Sequence, residues 1–193
     1  SRKRWLRIYF VFDPSATWSW ITLPDNICGV NEEMADAWVC TRKWNLEGLK
    51  QRMAQHDKLH HERILELTMS VTGGWPVLLD ELFERCGKRD DVRQYLSDIQ
   101  KELQDRDASL RKRFLASLGI QDNEPAKAIL EYVRGFGDNE KVPMDMVAPE
   151  YITGGKRLSA HVCKAGIEYL ARLGCIEIQD DEVLMDPIVR IVM

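Results

Sequence analysis

Between Asn45 and Gly119 the chain is written almost wholly in the period of an α-helix, and no other stretch limits the fold as much. Asn45 can N-cap a helix carrying Leu46, Leu49 and Met53 on one face. A second helix repeats that spacing with Ile64, Leu67 and Val71, then meets Gly73 as a C-terminal stop. Pro76 is placed to open a third helix at its first turn, with Leu78, Leu79, Leu82 and Phe83 inward and Gly87 closing it. Asp90–Gln104 follows with the seam Val92, Leu96, Ile99 and Leu103, and a last helix near Ser109–Leu118 ends at Gly119. Strands need a period of two, so this half of the chain must be a helical bundle. Arg106–Ser109 is its most linker-like break, and no internal repeat interrupts it.

After Gly119 the pattern changes. A helix is expected around Pro125–Phe136 and a short one around Met144–Tyr151. A Gly154-Gly155 loop then leads to Ser159, the N-cap of a helix running to Leu173. Cys163, Ile167 and Leu170 form its inward face, while His161, Lys164, Glu168 and Arg172 point mostly elsewhere. Gly174 stops it, and Ile176–Ile178, a turn at Asp180-Asp181 and Val183–Met185 make a hairpin. Three helices and a β-hairpin in that order are the winged-helix arrangement, built on a helix-turn-helix core.

The first forty residues read as the end of an α/β layer. Leu6–Phe12 is a nearly continuous apolar run, as in a strand covered on both faces, and Asp13-Pro14 stops it. Ala37–Thr41 is a second candidate strand. Two strands alone do not make a stable sheet, so they belong to a stub or to a larger sheet. The chain starts Ser-Arg-Lys-Arg-Trp, with neither an initiator Met nor a signal peptide, and reads as part of a longer polypeptide.

With 45% hydrophobic and 30% charged residues the composition is that of a folded globular chain. A net charge of −4 argues against a protein that coats nucleic acid. No apolar run approaches the ~18 residues of a membrane span, so no membrane role is expected. The five cysteines are odd in number and lack a C-x-x-C pair, which fits buried thiols in a cytoplasmic protein.

The most specific local signal is Thr72-Gly73-Gly74-Trp75-Pro76-Val77-Leu78-Leu79, preceded by Ile64-Leu65-Glu66-Leu67-Thr68. This pair of segments resembles the helical lid of STAND-type AAA+ ATPases, P-loop enzymes whose Gly-x-Pro motif (here Gly74, Trp75 and Pro76) sits against the nucleotide base. Arg7–Trp20, with its Phe-Val-Phe-Asp-Pro strand end, looks like the late core strand that carries a sensor position in that family, which puts Asp13 in a sensor region. A winged helix is the module the resemblance implies next. Its end departs from the family: Asp186, in Leu184-Met185-Asp186-Pro187, stands where a His often reaches the nucleotide phosphate. A carboxylate repels phosphate, and Asp186 reads better as an N-cap before a helix opened by Pro187.

No G-x-x-x-x-G-K-[ST] phosphate loop occurs. The resemblance therefore implies that ATP or ADP with Mg²⁺ is held by an ATPase core upstream in the same polypeptide, that this chain alone binds no cofactor, and that it has no catalytic residue of its own. It also implies a protein effector. His56, His60 and His61 lack an H-E-x-x-H pattern and are expected to be exposed polar residues rather than metal ligands. Lys156, Arg157, His161 and Lys164 could contact DNA from the third helix and its entry. The wing tip Gln179-Asp180-Asp181-Glu182 would then face phosphates, so specific DNA binding is not expected.

The reading is a mainly α (α+β) chain in three parts: residues 1–44 as a remnant of an α/β ATPase core, 45–119 as helical lid and extension, and 120–193 as winged helix. Its function would be that of a regulatory nucleotide switch without a complete active site. The alternatives are a winged-helix transcriptional regulator and a structural interaction module.

Overall fold

A computed structural model describes residues 43–54, 62–86, 91–137, 140–147, 152–153 and 156–193, with the backbone alone at 152–153 and 156–157. The expected strands at Leu6–Phe12 and Ala37–Thr41 lie outside the described residues, as do Asp13, His56, His60 and His61. Among the described residues the chain is mainly helical, with a small antiparallel sheet. Helices α1 (Leu46–Met53), α2 (Glu62–Thr72), α3 (Pro76–Cys86), α4 (Val92–Gln104), α5 (Ser109–Leu118) and α6 (Glu124–Arg134) come first. Strands β1 (Val142–Pro143), β2 (Ile152–Thr153) and β3 (Lys156–Arg157), helix α7 (Ala160–Arg172), strands β4 (Ile176–Gln179) and β5 (Glu182–Met185), and helix α8 (Pro187–Val192) follow.

Local chemistry sets most of these boundaries. Side chains of Asn45, Asp91, Asn123 and Ser159 accept hydrogen bonds from backbone N–H groups of Gly48, Gln94, Ala126 and Val162, closing the first turns of α1, α4, α6 and α7. The hairpin turns on Asp180 and Asp181, both left-handed at φ 52° and 62°. A two-residue turn with both residues left-handed matches the twist of the flanking strands.

The apolar faces meet in one core that runs from Leu49 to Val192. α4 lies at its centre, packed against α2, α3, α5 and α8, and α6 packs against α7 and β5. Phe114, Leu78, Leu82, Ile99 and Tyr169 are almost wholly buried. Tyr169, on the inward side of α7 with Cys163, Ile167 and Leu170, donates its hydroxyl to Gly119 O at 3.3 Å.

Four details differ from the sequence reading. Leu46 is half exposed, leaving Leu49 and Met53 to anchor α1. In α2 the buried face is Leu65, Thr68, Val71 and Thr72, rotated from the Ile64–Leu67 stripe. Thr72 can take a core position there because its hydroxyl donates to Thr68 O at 2.7 Å. The carbonyls at the end of α6 are taken by Arg190 from α8, and the helix stops at Arg134 rather than at Phe136. Met144–Val147 is a turn, not the start of a helix, and the residues before it form β1, paired with β5 in the order β1-β5-β4. Two residues carry no period, so only Val142 lying opposite Val183 makes β1 a strand.

Candidate functional site

The corner between α2 and α3 is built by Thr72, Gly73, Gly74 and Trp75. The Thr72 hydroxyl accepts from Gly74 N at 3.3 Å, and Trp75 O accepts from Leu78 N and Leu79 N to start α3. Trp44 N donates to Gly74 O at 2.7 Å. Gly74 is left-handed at φ 74°, and a Cβ there would lie 2.1 Å from Trp44 O, so only glycine fits. The segment entering α1 is thereby clamped to the corner by a backbone hydrogen bond.

Trp75 does not face solvent. It is 3% exposed and meets Phe114 edge-on, with ring centroids 5.3 Å apart. That geometry is favourable for two aromatic quadrupoles. Its indole Nε1–H donates to Asp186 Oδ1 at 3.3 Å, across 111 positions of sequence. The part of the corner left half-buried is Gly73, Pro76 and Val77.

Asp186 is 8% exposed and caps α8: Oδ1 accepts from Ile188 N and Val189 N, each at 2.9 Å. Its second oxygen, Oδ2, accepts from Lys43 Nζ at 2.6 Å. Lys43 is held on three sides. Its Nζ lies 5.1 Å from the Trp75 ring centroid, and its aliphatic stem crosses Gly174, where a Cβ would be 3.2 Å from the lysine Cε. Ile188 closes the arrangement from α8, lying so near Gly73 that a Cβ there would come within 2.9 Å of its Cγ1. A carboxylate with four donors is a satisfied buried charge, the condition under which such a group is tolerated.

The structure thus brings Gly74, Trp75, Pro76 and Asp186 together. The basic candidates are elsewhere: Lys156 and Arg157 form β3, while His161 and Lys164 are exposed on the first turns of α7. Asp180 and Asp181 are exposed at the hairpin tip. Lys43 is the residue that sequence reasoning missed. Its partner is 143 positions away, and a lone lysine before a helix carries no local signal.

A separate ion network joins α3, α4 and α5. Glu81 accepts from Arg85 and Arg113, and Arg85 also donates to Glu102 at 2.6 Å. Burial pushes the Glu81 carboxyl up, but hydrogen bonds and charge from Arg113 and Arg85 outweigh it and hold the carboxyl below its ordinary value. Burial also pushes the Cys86 and Cys163 thiols up, away from nucleophilic reactivity. Among the described residues no group of three or more His, Cys, Asp or Glu is placed to hold a metal ion, and no helix is long and apolar enough to cross a membrane.

No protein-family model matches the chain, and no curated protein matches it.

Proposed function

We propose that this chain is the lid and winged-helix portion of a STAND-like AAA+ ATPase, a regulatory module that responds to a nucleotide held by a core upstream. One observation carries the reading: the Gly74-Trp75-Pro76 corner and Asp186, singled out separately and 111 residues apart, meet through the Trp75–Asp186 hydrogen bond. A switch of this kind needs a physical link between the base-contacting corner and the end of the winged helix, and this contact supplies one. The winged-helix half is supported by α6, α7 and the β4–β5 hairpin, with β1 from between those helices pairing on β5. Burial of Gly74 and Trp75 leaves Pro76, with Gly73 and Val77, as the surface available to a base.

In this reading the chain closes over nucleotide and passes its state to a protein effector, without completing an active site. Positioned phosphates and Mg²⁺ supply most of the catalysis in such enzymes, so this chain alone turns over no ATP. The test is made in the parent polypeptide, where Pro76→Ala should weaken ADP affinity by more than the ~1 kcal/mol it costs in stability. Nucleotide affinity and Tm are measured together, and an unchanged affinity would refute the reading.

A further inference from the structure

We propose that the open edge of β4 is a docking strand for an extended segment of a protein partner, one that alternates apolar and cationic side chains. The sheet order β1-β5-β4 leaves β4 at the rim, and among the described residues no strand pairs on its far side. Backbone phase decides which groups that rim presents. Cys175 O accepts from Asp186 N, and Met144 N donates to Asp181 O, so Val183 turns its backbone toward β1. Ile178, opposite Val183, is then in a non-hydrogen-bonded pair and directs both its N–H and its C=O outward. Groups so aimed are a template for a further strand.

Side chains define what fits there. Val142, Val183 and Ile178 lie side by side across the sheet on its core-facing side. Val142 and Val183 are wholly buried, but Ile178 is 40% exposed because the row ends with it. An added strand would place an apolar residue beside Ile178 and cover it. Glu177 stands on the opposite face, and beyond it come the exposed Asp180 and Asp181 of the turn. Among the described residues no Lys or Arg pairs with these carboxylates, whereas Glu182 has Lys141 at 3.5 Å. A second copy of the chain would bring two acidic tips together, so the complementary segment is cationic. Successive residues of a strand face opposite sides, which sets the alternation: apolar beside Ile178, cationic beside Glu177. This edge is at the far end of the hairpin from Asp186 and Trp75 and does not depend on a nucleotide.

The experiment measures binding of fluorescein-labelled peptides to the full chain by anisotropy. One peptide alternates valine with lysine or arginine, a second carries glutamate at each cationic position, and a third is the first with every valine N-methylated, which removes the strand donors and keeps the charge. The cationic peptide should bind and should slow hydrogen exchange at the Ile178 amide. The glutamate and N-methylated peptides should bind at least about tenfold more weakly. Ile178→Lys should weaken the cationic peptide by about tenfold, through loss of the apolar contact and gain of a like charge. Asp180→Asn with Asp181→Asn should weaken it by about fivefold, since asparagine keeps the left-handed turn and removes only charge. The comparison of peptides on wild type decides the matter even if a variant folds poorly. A cationic peptide that fails to bind, that binds without slowing Ile178 exchange, or that binds no better than either analogue overturns the docking strand, as does undiminished binding by both folded variants.

Discussion

Replacing Asp186 separates what its two oxygens do. In Asp186→Ala the indole Nε1–H of Trp75, buried at 3% exposure, is left without its acceptor. An unsatisfied buried donor costs about 1–3 kcal/mol. The two N–H groups at the start of α8 lose their cap, a further ~1 kcal/mol. The Lys43 pair adds at most about 1 kcal/mol, because its lysine is one-third exposed and solvent screens it. The expected total is about 2–5 kcal/mol. Asp186→Asn keeps an oxygen for the indole and the cap but turns an amide N–H₂ toward the Lys43 ammonium, so its cost should stay near ~1 kcal/mol. For a chain of this size these values correspond to drops in Tm of roughly 10 °C and roughly 3 °C. Urea unfolding of the three proteins, with equal m-values as the check on two-state behaviour, measures the difference directly. An asparagine variant as unstable as the alanine one would show that charge, not hydrogen-bond satisfaction, holds the corner to α8. An alanine variant within 1 kcal/mol of wild type would refute the whole account.

Three further outcomes follow from the same geometry. Gly74→Ala should cost at least about 3 kcal/mol in urea unfolding, since a left-handed backbone and a clash with the Trp44 carbonyl have no rotamer escape, whereas Gly174→Ala meets only the flexible Lys43 stem and should cost about 1–2 kcal/mol; equal costs would refute this. Because the Glu81 carboxyl is lower in the folded state, its contribution to stability is present above the unfolded pKa and lost as pH falls through the folded one. Glu81→Gln should therefore flatten the stability profile as pH falls below the ordinary carboxylate range, and a profile parallel to wild type would contradict it. Duplex DNA should not be bound specifically: from Pro125 onward eight Lys and Arg face eleven Asp and Glu, and Asp180 and Asp181 are exposed at the hairpin tip. Sub-micromolar binding of one duplex over scrambled competitors in a mobility shift, lost on Lys164→Glu, would reverse that conclusion.

By itself the sequence determined the elements whose causes are local. Helix period and caps such as Asn45 and Ser159 placed α1 to α7 within a residue or two, and Asp180-Asp181 placed the hairpin, because each signal acts within one or two turns of chain. It also marked the Gly74-Trp75-Pro76 corner and Asp186 as positions of interest. Tertiary structure decided the rest. Thr68 and Thr72 lie in the core only because α4 covers that face of α2. Val142–Pro143 is a strand only because Val183 and Glu182 lie opposite. Trp75 is buried rather than exposed at a binding surface because Phe114 and Asp186 converge on it from α5 and the head of α8. Lys43 became part of the site through a carboxylate 143 residues away. Contacts over such separations depend on how helices pack against one another, and packing is a property of the assembled core that no window of sequence contains.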